Sequence, residues 1–102
     1  MNVQILQSAE TEIAEAMDYY NIQYQGLGYE FAAEVKESIN RIIAFPDAWS
    51  IFDMNTRKCS IKRFPYAIFY ETEQSNIVIF AVMHLKQNPK TWKERLNSYK
   101  KI

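Results

Sequence analysis

The sequence predicts an α+β fold in the order β-α-α-β-β-β-α: an N-terminal helical hairpin packed on an antiparallel-rich sheet, with a short C-terminal helix. Three observations carry that prediction. Two apolar stripes at helical spacing run from Ile13 to Ile42, parted by the chain's 2 glycines and ended at Pro46. Runs rich in branched and aromatic residues follow between Arg57 and His84. A last segment opens on Asn88-Pro89 and carries Trp92, Leu96 and Tyr99 at helical spacing.

Each element has its own local reason. Asn2–Leu6 ("NVQIL") alternates apolar and polar residues and reads as a short strand. Ser8 is placed to cap the first helix, with Glu10 and Glu12 near its positive end. Ile13, Ala16, Met17, Tyr20 and Tyr24 then form one buried stripe. Gly26 and Gly28 supply the conformational freedom for the break. Phe31, Val35, Ile39 and Ile42 make the second helix's stripe, while Glu10, Glu15, Glu30, Glu34 and Glu37 fall mostly on solvated faces. Residues 47–56 read as irregular, with Trp49, Ile51 and Phe52 tucked against the core.

Three strands follow. In Arg57–Phe64, Cys59 and Ile61 point one way while Lys58, Ser60 and Lys62 point the other. Pro65 belongs at a strand end, because it cannot donate to a ladder. Tyr66–Glu71 and Asn76–His84 are joined by the polar turn "TEQS". Since the last run is apolar on both faces, it belongs centrally, with the C-terminal helix or a partner covering part of the second face.

Composition bounds the function. A chain of 102 residues, 48% of them hydrophobic, predicts one globular domain spanning 1–102. A single cysteine, Cys59, suits a reducing cytoplasm, and the N-terminal segment has the pattern of neither a signal peptide nor a membrane span. No membrane partner is expected. Cys59 and His84 make no metal cluster, and no Gly-rich phosphate loop occurs, so neither metal nor cofactor is expected. The zero net charge hides an asymmetry: residues 1–54 hold nine acids and two bases, residues 55–102 ten bases and three acids. Either facing elements neutralise one another, or the basic half meets an acidic partner.

The segments "AMDYYNIQYQGLGYEFAAEVKESINRIIAFPDAW", "CSIKRFPYAIFYE" and "IVIFAVMHLKQNPKTWKER" cover almost the whole chain. Together they resemble the RelE/ParE superfamily of bacterial type II toxins, most closely its ParE-like, plasmid-stabilisation branch. The resemblance implies a small cytoplasmic toxin neutralised by a cognate antitoxin with an acidic, amphipathic segment. It implies DNA gyrase as the target, reached by binding, with no catalytic residue. The expected target- or partner-binding surface is Lys58, Lys62 and Arg63 on the sheet with Lys86, Lys90, Trp92, Lys93 and Arg95 toward the C-terminus.

Two other readings stay open. One is a ribosome-dependent mRNA endoribonuclease of the RelE type, in which His84 shuttles a proton and Lys86 and Arg63 (with Lys58 or Lys62) hold phosphate. Those relatives carry an arginine in the strand matching "YAIFY", where this chain has Ala67, and a tyrosine near Thr91-Trp92. The other is a non-toxic partner of the antitoxin, because Gln87 replaces one of the paired arginines in the ParE-like ending. Two local features have structural explanations: His84 as a strand-end residue bonded to a neighbouring carbonyl, and the Tyr19-Tyr20 pair as packing rather than a base-stacking platform.

Overall fold

The chain runs β1 (Asn2–Ile5), α1 (Gln7–Gln23), α2 (Leu27–Ala44), β2 (Ser50–Asp53), β3 (Thr56–Ser60), β4 (Tyr66–Glu73), β5 (Asn76–His84) and α3 (Pro89–Lys100). This computed structural model describes residues 2–100, with the side chains of Pro89, Trp92, Leu96, Tyr99 and Lys100 outside the described set. The five-stranded sheet has the order β1-β5-β4-β3-β2. Its pairs are antiparallel except β1 with β5, which run parallel from Asn2↔Asn76 to Ile5↔Ile79.

The hairpin α1–α2 lies on one face. Phe31, Val35, Ile42 and Ala16 pack there against Ile68, Tyr70, Ile77, Ile79 and Val82. Each large side chain fully withdrawn from water contributes about 1.5–3 kcal/mol, so this layer dominates stability. Tyr20 sits within 4.9 Å of the Phe64 ring and 5.5 Å of Phe31, which makes it a packing residue as expected. Tyr24 does not join the stripe. It is the extended residue that ends α1, and 71% of it is exposed. Gly26 adopts φ 89° in the break, and Gly28 is buried where a Cβ would collide with the Met17 carbonyl.

The second sheet face holds Ala67, Phe69, Phe80, Ala81 and Met83, with Leu6 and Phe52 against them. Consecutive Phe80 and Ala81 share this face because of a bulge. Phe69 pairs with Ala81 and Tyr70 with Ile79, leaving Phe80 as the extra residue. That slip puts Val82 back on the hairpin face with Ile77 and Ile79. The Trp92–Leu96–Tyr99 stripe expected above this face lies outside the described side chains.

Several boundaries differ from expectation. Ser8 does not cap α1. The helix begins straight out of β1 with Leu6 as its cap, and Ser8 Oγ donates instead to the Phe80 carbonyl at 3.0 Å. Residues 50–53, expected to be irregular, form the edge strand β2, a run too short to show alternation. Ile51 within it is 62% exposed rather than tucked in, whereas Trp49 and Phe52 are half-buried. The strand expected over Arg57–Phe64 stops at Ser60. Arg63 takes φ 71° and the Ile61 amide reaches the Tyr66 carbonyl, so the remainder forms a tight loop. Extension of β4 to Glu73 leaves a turn at Gln74-Ser75 in place of a four-residue one.

Candidate functional site

β1 stops at Ile5, halfway along β5, and α1 takes over as the hydrogen-bonding neighbour. The Leu6 amide donates to the Ile79 carbonyl at 2.9 Å. Ser8 Oγ donates to Phe80, and one turn on the Val82 amide donates to Glu12 Oε1 at 3.0 Å. Glu12 is therefore not a solvated helix-start carboxylate. Its other oxygen, Oε2, pairs with Arg95 of α3 at 2.9 Å. Past this point the edge of β5 opens into a groove of about 300 Å³, lined among others by Glu12, Glu15, Tyr19, Tyr66, His84 and Gln87.

His84 ends β5 as predicted, but its partner differs. Nδ1 accepts the Lys86 amide at 3.0 Å instead of donating to a carbonyl, so the neutral ring carries its proton on Nε2. The Tyr66 ring stands 5.1 Å away, edge to face. Burial, and next the neighbouring Tyr19 phenol, push the Tyr66 hydroxyl above its usual range and keep it a neutral donor. Tyr20 is raised likewise, first by burial and then by Tyr66 and Tyr19.

The expected basic residues divide into two groups. Arg63 turns back onto α2, 2.7 Å from Glu30, and that hydrogen bond is the first cause of its raised guanidinium pKa. Arg95 is held by Glu12. Arg57 donates to the Asp47 and Trp49 carbonyls at 3.0 and 2.7 Å. Arg63 and Arg95 join facing elements through carboxylates, which is the neutralising alternative for the charge asymmetry. Lys62, Lys86, Lys90 and Lys93 are exposed, whereas Lys58 is half-buried on the second sheet face opposite Phe69. Lys86 precedes α3, and Lys90 and Lys93 lie in its first turns; the Asn88 side chain caps the helix by accepting the Lys90 amide at 2.8 Å. The assignment of Trp92 to a partner surface falls outside the described side chains.

Of the residues expected for a nuclease, His84 and Lys86 stand together through the Lys86 amide, whereas Arg63 pairs with Glu30; His84 lines a groove with Glu12 and Glu15. Ala67 pairs with Met83 on the apolar second face and is wholly buried. Among the described residues, no group of three His, Cys, Asp or Glu side chains is placed to hold a metal. None of the described helices is long and apolar enough to cross a membrane. Sequence reasoning missed the groove. Glu12, Glu15 and Tyr19 share one helical face at spacings of three and four, but nothing local says which strand end that face meets.

Comparison with known proteins agrees with this architecture. Residues 3–89 match the sequence model of the family described as ParE toxin of type II toxin-antitoxin system, parDE. Among solved structures, a chain of the "Chromosomal ParDE TA system from P. aeruginosa" superposes with a TM-score of 0.73 at 14% identity. That superposition covers 82% of this chain and 95% of that one, a likeness of fold. No curated protein matches the sequence. With the family match spanning nearly the whole hairpin and sheet, the chain belongs to the ParE toxin family of type II toxin–antitoxin systems.

Proposed function

We propose that this toxin, a single domain acting in the cytoplasm, arrests growth by binding DNA gyrase rather than by cutting RNA. An acidic, amphipathic segment of a cognate antitoxin neutralises it. The observation that carries this reading is the surrounding of His84. A phosphodiester entering that groove meets the carboxylate of Glu15, which engages no ion pair among the described residues, and the strand beside it carries the buried methyl of Ala67 in place of an arginine. An anionic transition state needs donors and cations there. Binding surface is instead offered by the exposed lysines Lys86, Lys90 and Lys93 around the start of α3, with Lys62 on the β3–β4 loop. Long-range attraction of such a cationic face toward acidic protein raises association rates.

The test induces the chain without antitoxin and pulse-labels DNA and protein synthesis within minutes, then assays supercoiling by purified gyrase. Early loss of DNA synthesis, with inhibited supercoiling that weakens when Lys86, Lys90 and Lys93 are changed to Ser, is expected. Early loss of protein synthesis with cleaved messages would replace it with the nuclease reading. A second reading, a non-toxic antitoxin partner, is favoured by exposed, uncharged Gln87 at the groove; growth unaffected by induction would establish it.

A further inference from the structure

The groove at the open end of β5 has a chemistry that gyrase binding through lysines does not use. Its wall combines carboxylates with aromatic faces. Glu15 is exposed and, among the described residues, engages no ion pair. Tyr19 is 55% exposed, and Tyr66 and His84 stand ring to ring at 5.1 Å behind it. Carboxylate beside aromatic face is the environment that holds a guanidinium or ammonium, by ion pairing and by attraction to the ring quadrupole.

A further observation points the same way. The chain already seats one guanidinium against this carboxylate row, since Arg95 lies 2.9 Å from Glu12 in an adjoining recess of about 280 Å³ shared with Met83 and Gln87. A free carboxylate and aromatic faces lining one cavity beside a guanidinium already seated describe a site for a second basic side chain.

We propose that this groove receives an arginine side chain from a partner polypeptide. Its guanidinium sits between the Glu15 carboxylate and the Tyr19, Tyr66 and His84 rings. Glu12 takes no part in the cation's capture, because Val82 and Arg95 already occupy its oxygens. Partner recognition thus has two signs: exposed lysines attract acidic segments, and this groove admits one basic anchor. The pocket is independent of the toxin's cellular target. Loss of gyrase inhibition would leave it standing, and its own failure would leave the gyrase reading untouched.

Titration of the isotope-labelled full chain with acetyl-arginine amide, followed by amide NMR, tests this, with the neutral isostere acetyl-citrulline amide as control. The expected result is saturable shifts confined to Ala16, Tyr19, Val82, His84 and Gln87, with binding weakened about tenfold, the equivalent of 1.4 kcal/mol, by citrulline or by Glu15→Gln. Equal response to citrulline, shifts spread over the α2 carboxylates, no shifts, or undiminished binding by Glu15→Gln would each overturn the proposal. Should Glu15→Gln lose its native spectrum, Tyr19→Ser, at another exposed position, carries the same expectation.

Discussion

Arg95 Nη2 lies 2.9 Å from Glu12 Oε2, and through this contact the last helix is tied to the first. Glu12 is the more deeply engaged partner, because its Oε1 also accepts the Val82 amide. Arg95→Ala is expected to cost under about 1 kcal/mol, the worth of a partly exposed pair, and to raise amide exchange in α3 alone. Glu12→Ala leaves a strand amide without its acceptor and is expected to cost about 1–3 kcal/mol. Urea denaturation ranks the two, and equal costs would mean that the Val82 bond adds nothing.

The glycines test how closely the hairpin helices approach. Gly28→Ala drives a methyl into the Met17 backbone and Asn21, whereas Gly26→Ala meets open space and pays only for its φ of 89°. A left-handed conformation costs a non-glycine residue about 1–2 kcal/mol. Gly28→Ala is expected to exceed that clearly, and a smaller loss in thermal unfolding than for Gly26→Ala would refute the close approach.

Tyr70 gives the fold an alkaline limit. Its hydroxyl donates to the Pro46 carbonyl at 2.6 Å, and burial pushes its pKa up from 10.0 to about 12. The folded chain therefore holds this proton more tightly than the unfolded one. That stability is complete below pH 10 and is lost as pH rises toward 12. Tyr70→Phe should flatten the fall of unfolding free energy across this window, with Tyr20 and Tyr66, raised in the same direction, supplying the remainder. An unchanged slope would show that the phenol is not held neutral.

Arg63 separates structural charge from functional charge. Its pair with Glu30 joins two side chains that are each about half exposed, so Arg63→Ala is expected to change stability by less than about 1 kcal/mol. Growth arrest on induction should persist in this variant and fall in the Lys86, Lys90, Lys93 triple variant. Loss of arrest in Arg63→Ala would return Arg63 itself to the binding surface.

Position 67 tests the burial that argues against RNA cleavage. Ala67→Arg puts a charge into the layer of Phe69, Ala81 and Met83. An unpaired buried charge costs several kcal/mol, so this variant is expected to be unfolded by circular dichroism rather than converted to a nuclease.

Much of this fold was legible because it is written in local periodicity. The stripes ending at Ile42, the two-sided apolar run of β5 and the Asn88-Pro89 start of α3 each depend on neighbours within a turn or a strand. Edge strand β2 was not, since four residues carry no period and only pairing with β3 makes them a strand. By itself the sequence determined the order of every element but β2, the family resemblance and which side chains are charged. Tertiary structure decided which charges are spent. Arg63 and Arg95 face Glu30 and Glu12 only because chain separations of 33 and 83 residues close in the fold. The groove around His84 exists because β1 ends before β5 does and α1 covers the difference, a relation between lengths of distant segments that no local pattern records.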